Sequence, residues 1–389
     1  MLYNLLQSMD EWLDSAGLYS FLQVLYQREF RAFTAVVVAF FIVVLLGKPL
    51  IRILIKKKIG DHAEFNHEQI NAMMKSKENT PTMGGILLMG SVIVTTLLFA
   101  DLFNQYVQLL LVVMFMFTLL GGFDDYLKLV AGHKNPGSRD GLYRWEKLLF
   151  QFGIGGVVAF MVWRYAGDSE AAHSLTLPFV RTYIPGMETL TLSPNVIVLG
   201  GTVFSIIAIF MVMLMSNAVN ITDGLDGLAP GTVMIASFAM MVLCYIAGSP
   251  NHAGFLLMPY VEGSAEMMVV AGATAGACLG FLWFNCHPAQ VFMGDTGSLP
   301  LGGLLATIAI IIRQEFLLLV IGGVFLIEIG SSFLQIAYFK ATKGKRIFTV
   351  APIHHAFHRK GWSESQVVTR FWVVAVILAM IALVSIKMR

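Results

Sequence analysis

Hydrophobic positions in this 389-residue chain gather in long runs instead of alternating with polar ones. Ten runs stand out, at roughly 32–54, 83–100, 106–123, 148–163, 195–216, 229–247, 267–284, 298–312, 316–339 and 371–386. Each is about long enough for a helix to cross a bilayer, several near the short limit. The pattern predicts an all-α, polytopic integral membrane protein with about ten transmembrane helices. Residues 1–389 would form a single transmembrane domain. Within it, residues 1–31 are partly apolar and suit an interfacial amphipathic helix.

Composition agrees with that solvent. Hydrophobic residues make up 57% and charged ones only 13%, too apolar for an ordinary soluble protein. The net charge of +2 says little, so the distribution of charge has to carry the argument. Loops on one side hold eighteen of the 26 Lys and Arg, in the stretches 52–77, 128–147 and 340–370. The other side carries Arg28, Arg31, Arg164, Arg181, Arg313, Lys387 and Arg389. Basic loops stay in the cytoplasm, so the expected topology puts both termini outside. Cys244, Cys278 and Cys286 show no metal spacing and read as small buried residues, with no disulfide framework. The first thirty residues carry Asp10, Glu11, Asp14, Arg28 and Glu29 without a basic n-region, so no cleavable signal is expected.

Chemistry concentrates in residues 216–230, where Asn217, Asn220, Asp223 and Asp226 recur every three positions beside Gly224 and Gly227. On a helical turn or tight loop these side chains would crowd one face. Four more polar stretches fall on the same membrane side: 75–85, the paired acids in Phe123-Asp124-Asp125-Tyr126, 285–298, and 343–358 with its His354-His355 pair. Each has a plain alternative. The paired acids can be solvated, Asp295 or Ser298 can cap a helix, and the histidines can be surface residues. Lys56-Lys57-Lys58 reads as a lipid-binding anchor. Glu328, with Ser331, Ser332 and Gln335 inside the ninth run, can serve helix packing as well as catalysis. What the stretches share is hard oxygen ligands suited to magnesium, with Lys and His suited to a pyrophosphate. That points to phosphoryl transfer onto or from a lipid, with no nucleic-acid partner. A transporter is the rival of another class, since Glu328 and the Gly-rich spans would also suit a substrate path.

Five motifs carry a family resemblance: Asn-Ala-Val-Asn-Ile-Thr-Asp-Gly-Leu-Asp-Gly-Leu-Ala at 217–229, Thr-Pro-Thr-Met-Gly-Gly at 80–85, Phe-Asp-Asp-Tyr at 123–126, Phe-Met-Gly-Asp-Thr-Gly-Ser at 292–298 and Ala-Pro-Ile-His-His at 351–355. In their order along the chain, over about 48–370, the sequence resembles the bacterial phospho-N-acetylmuramoyl-pentapeptide transferases, within the polyprenyl-phosphate N-acetylhexosamine-1-phosphate transferase superfamily. The resemblance implies a ten-helix enzyme of the bacterial inner membrane with its site facing the cytoplasm. It would move phospho-MurNAc-pentapeptide from UDP-MurNAc-pentapeptide to undecaprenyl phosphate, giving lipid I and UMP with Mg2+. Membrane lipid is a further expected partner, and a homodimer a candidate assembly.

The same resemblance implies catalytic roles for Asp124, Asp125, Asp295, His354 and His355, with Asp295 as the magnesium ligand. Substrate binding would fall to Lys77, Thr80, Lys128, Lys147, Asn217, Asn220, Asp223, Asp226 and Phe292, the last as an aromatic platform for uracil. There are departures from the family pattern. Ala356 and His358 stand where a third histidine and an acid are usual, Asn79 replaces a common glycine, and the second inner loop and the segment 164–194 look longer. A sister transferase using UDP-GlcNAc is the nearer rival, and the Pro-Ile-His-His-Ala-Phe loop favours the muramoyl branch.

Overall fold

A computed structural model describes residues 1–15, 22–57, 80–134, 141–187 and 189–388. Two short helices come first, α1 (Leu2–Ser8) and α2 (Asp10–Ser15), then α3 (Arg28–Lys56), α4 (Gly85–Phe99), α5 (Gln105–Lys134), α6 (Arg144–Tyr165) and α7 (Gly201–Thr222). The chain continues with α8 (Leu228–Ala247), α9 (Pro250–Leu256), α10 (Met267–Asn285), α11 (Asp295–Ile311), α12 (Glu315–Ile321), α13 (Gly323–Ala341), α14 (Ile353–Arg359) and α15 (Glu364–Ser385). One antiparallel ribbon pairs β1 (Ser174–Leu175) with β2 (Ile197–Val198). The protein is therefore all-α, as the apolar runs predict.

Among the described residues eight helices are long and apolar enough to cross a membrane, and the shorter apolar helices Gly85–Phe99 and Asp295–Ile311 occupy the other two predicted runs. Two details differ from the sequence reading. The ninth run is not one helix: it breaks at Gly322, beside Gly323, where two poor helix formers in a row let the chain turn between α12 and α13. Among the described residues before Arg28 there are two short helices and a 3-10 turn at Gln23–Tyr26 in place of one amphipathic helix. Helix ends also overrun the apolar runs, because a hydrogen-bonded backbone continues through charged residues where a hydropathy window stops. So α5 carries Asp124 and Asp125 inside it, and α11 opens on Asp295 itself.

The bundle is built around α11, all of whose residues are buried. Covered on every side by other helices, it is the central helix of the bundle. It packs chiefly between α5 and α7, with α4 and α8 beside them. A second seam joins α3 to α10. There Ala32, Ala35, Ala39 and Val43 form a small-residue stripe on α3, buried to 0% exposure. Opposite them, a Cβ on Gly272 would lie 2.6 Å from the Ala32 carbonyl and one on Gly280 2.8 Å from that of Phe40. Gly276, between them, comes closer still to the Val36 carbonyl, so the two backbones touch as small-residue membrane seams do.

At the end of α5 away from the paired acids, two arginines are buried. Arg31 makes a bidentate pair with Glu266, at 2.9 and 2.6 Å, and donates to the Phe99 carbonyl at 2.7 Å. Arg313 pairs with Glu315 at 2.9 Å and donates to the Ser174 carbonyl at 2.9 Å, tying the ribbon to the foot of α11. Read from the sequence as outer topological charges, both are interior clamps whose loss would strand a buried carboxylate.

Candidate active site

The site forms where α5, α6, α7 and α11 converge. Asp124 and Asp125 are neighbours on α5, so the helix aims them at different partners about 100° apart. Asp124 turns to the loop before α6. Its Oδ1 accepts the Leu142 N–H at 2.8 Å, and its Oδ2 meets Lys128 Nζ at 2.7 Å and Lys147 Nζ at 3.0 Å. Asp125 turns to the first turn of α11. It accepts from the Asp295 N–H at 3.1 Å, the Thr296 N–H at 2.9 Å and the Thr296 hydroxyl at 2.6 Å. In doing so it satisfies two of the orphan donors at the N-terminus of the central helix, from outside that helix. Gly294 leaves room for this contact: it sits at φ +72°, and a Cβ there would be 2.6 Å from Asp125 Oδ2.

Asp295 completes the centre. Its Oδ2 accepts from Lys147 at 2.7 Å and faces Lys128 at 3.2 Å, while Oδ1 accepts the Asn220 amide at 2.8 Å. That amide also reaches Ser298 Oγ at 2.9 Å. Lys128 lies one helical turn beyond Asp124 on α5. Lys147 comes from the first turn of α6, whose entry is fixed by the Tyr143 N–H donating to Glu146 at 2.8 Å. One oxygen from each of Asp124, Asp125 and Asp295 lies within 4.8 Å of the others. These are hard oxygen donors of the kind a divalent cation takes, and two ammonium groups already sit between Asp124 and Asp295. The residues present fit such an ion.

Asp223 follows the last residue of α7. Burial pushes its carboxyl well above the ordinary range, the charges of Asp295, Asp125 and Asp226 push it further, and a backbone bond from Gly294 works the other way. This crowding of acids is what a bound cation relieves.

Asp226 does not join the three acids. The threefold spacing from Asn220 predicts a shared face, but α7 ends at Thr222, so the helical period stops before Asp226 is reached. Instead Asp226 Oδ2 meets His287 Nδ1 at 3.0 Å and the Ala289 N–H at 3.1 Å, while the Asp226 N–H donates to Glu364 at 2.8 Å. Asp226, His287 and Glu364 make a second group able to hold a metal ion. Asn217 is also set apart, exchanging amide bonds at 2.5 and 3.4 Å with the buried Gln151 of α6. Sequence reasoning missed His287, Glu364 and Gln151 as site residues. His287 carried one signal, its place in the polar stretch before Asp295; the other two gave none.

The loop at 80–85 runs against 289–293. The Phe292 N–H donates to Pro81 O at 2.8 Å and Gly84 N–H to Phe292 O at 2.8 Å, with Thr80 Oγ1 3.5 Å from Ala289 O. Phe292 is half-buried here. Lys77 and Asn79 lie outside the described residues. His354 is buried on α14, with Nδ1 2.8 Å from Glu328 Oε2 of α13. The His355 ring lies 4.2 Å from that of His354, centroid to centroid. Ala356, in place of the family's third histidine, is buried, and His358 is half-buried.

Comparison with known proteins follows the same lines. The model of Glycosyl transferase family 4 matches residues 107–313, which include all three clustered acids. The phospho-N-acetylmuramoyl-pentapeptide-transferase of Desulfotalea psychrophila is 42% identical over 360 residues, 92% of this chain and 93% of its own. That of Desulforapulum autotrophicum is 42% identical over 370 residues, 95% and 96% of the two chains. The enzyme of the same name from Desulfosudis oleivorans is 40% identical over 389 residues, the whole of both. With such identity running from end to end, the chain belongs to the phospho-N-acetylmuramoyl-pentapeptide transferase family.

Proposed function

We propose that the protein transfers phospho-MurNAc-pentapeptide from UDP-MurNAc-pentapeptide to undecaprenyl phosphate, forming lipid I and UMP in peptidoglycan synthesis. The reaction would take place at the cytoplasmic face of the bacterial inner membrane, with Mg2+ as cofactor. The observation that carries the reading is the meeting of Asp124, Asp125 and Asp295 within 4.8 Å, crossed by Lys128 and Lys147, in a helical bundle fit for a membrane. Asp295 and Asp124 would hold the ion. When bound, it supplies positive charge to the pyrophosphate oxygens and helps to orient them.

The chain's own residues do the rest. Lys128, about a third exposed, and Lys147 bring cationic charge to a place where two anions must approach each other. A phosphate oxygen of the lipid forms the new P–O bond to the phosphorus next to the sugar, and the pyrophosphate P–O bond breaks with its electrons leaving on UMP. Any proton on the lipid phosphate would pass to Asp124, whose Oδ2 faces lysine side chains that the incoming phosphates can draw away, whereas both Asp125 oxygens are held by the first turn of α11. Direct attack is favoured over a phospho-aspartate. Every carboxylate oxygen of the three acids already accepts a hydrogen bond or faces an ammonium group. The transporter reading loses its main residue, since Glu328 is buried against His354.

The test is a transfer assay on purified protein with undecaprenyl phosphate, Mg2+ and either UDP-MurNAc-pentapeptide or UDP-GlcNAc. Lipid I and UMP are expected from the first donor alone, disappearing in excess EDTA and returning when Mg2+ is restored. Product from UDP-GlcNAc only would shift the reading to the sister transferases. Accumulation of label in vesicles with no lipid product would favour a transporter.

A further inference from the structure

We propose that Glu328 is a positioning residue for His354, holding the imidazole through Nδ1 so that Nε2 faces the turn at 223–224 of the reaction centre. The inference rests on the transferase reading above and adds to it a residue on a different helix, inside the predicted ninth run.

Both side chains are at 0% exposure and Glu328 Oε2 lies 2.8 Å from His354 Nδ1. One turn along α13, Ser331 Oγ accepts the Ile353 N–H at 3.1 Å, so two side chains on one face of α13 grip the first two residues of α14. The ring is therefore fixed in place as well as in rotation. The proposed arrangement has Nδ1 donate its proton to the Glu328 oxygen, which leaves Nε2 as the nitrogen turned to the site.

That nitrogen is pressed against the catalytic loop. A Cβ on Gly224 would fall 2.5 Å from His354 Nε2 and 2.8 Å from Cε1, so only a glycine lets the ring come so near the backbone between Asp223 and Leu225. Among the described residues Nε2 has no hydrogen-bond partner, although it is buried. A buried ring nitrogen left open in a structure calls for an explanation. A helix-to-helix bond alone would account for Nδ1 and leave Nε2 unexplained. A carboxylate that sets which imidazole nitrogen is turned to the site accounts for both, as in carboxylate–histidine pairs at reaction centres.

Glu328→Gln is expected to lower kcat about 10- to 100-fold, the usual cost of losing such a partner. KM for UDP-MurNAc-pentapeptide should stay within about twofold, because the ring orients a group in the reaction and not the bulk of the donor. The double variant Glu328→Gln/His354→Ala should be no slower than His354→Ala, since a residue acting only through another has nothing left to lose. Independent, additive losses would overturn the inference while leaving the transferase reading in place. Wild-type turnover in His354→Ala would overturn the role of the loop itself, and this inference with it. Should Glu328→Gln fail to fold, the native protein still decides: 15N spectra of histidine-labelled enzyme in nanodiscs are expected to show His354 protonated at Nδ1. A proton on Nε2 with Nδ1 bare would sink the proposal.

Discussion

Asp295→Asn is expected to abolish lipid I formation in a protein that remains folded. The substitution keeps the shape of the side chain and can keep the contact with Asn220, so α11 stays in place. It removes the charge that faces Lys147 at 2.7 Å and Lys128 at 3.2 Å, and with it a hard oxygen donor that would hold the proposed cation. Losing one preorganised charge at a phosphoryl-transfer centre costs about 10²–10³-fold in kcat, and a lost metal ligand adds to that. The N-terminus of α11 keeps its bonds to Asp125, so the melting temperature in detergent should move little. Initial rates over a Mg2+ series, beside melting curves, check both halves. Full turnover by the variant in excess EDTA would remove Asp295 from the reaction.

The paired acids should separate under substitution, although the sequence presents them as equals. Asp124→Asn is expected to lower kcat by about 10²-fold or more with a near-normal melting temperature, because Asp124 faces the lysines of the reaction centre. Asp125→Asn is expected to damage folding as well. Its Oδ1 accepts from the Asp295 N–H and its Oδ2 from the Thr296 N–H and hydroxyl; an amide keeps one accepting oxygen and puts an NH2 at the other position, so either the Asp295 donor or the Thr296 pair is stranded. Each buried donor so stranded costs about 1–3 kcal/mol. The measurement is a matched pair of melting curves and rates. A stable, inactive Asp125→Asn beside an unstable Asp124→Asn would reverse the assigned roles.

Much of this was legible in the sequence because membrane solvent makes strong patterns. An apolar run of bilayer length has few other fates, and each of the ten runs holds a helix, although the fifth begins with the short strand β2 and the ninth is broken at Gly322. The motifs around Asp124, Asp125 and Asp295 also pointed to one centre, and Lys128 and Lys147 do reach it. What stayed hidden depends on partners distant along the chain. Asp226 looked like one more member of the Asn220 to Asp223 series, yet the helix that would have carried the period ends at Thr222, and Glu364 and His287 claim it. Gln151 gave no sign, since its partner Asn217 lies on another helix. Arg31 and Arg313 read as charges at the membrane border because a single sequence cannot show that Glu266 and Glu315 wait beside them. The break at Gly322 was masked by the apolar residues on both sides of it.

The central claim is that the two phosphates meet directly at the Asp–Lys centre. It is tested by incubating the purified protein with Mg2+, UDP-MurNAc-pentapeptide and radiolabelled UMP, with every trace of undecaprenyl phosphate removed. The account predicts no label in the UDP-sugar and no phospho-MurNAc-pentapeptide bound to the protein, and full exchange once the lipid is added. Exchange without the lipid, or an isolated phospho-aspartate, would contradict it.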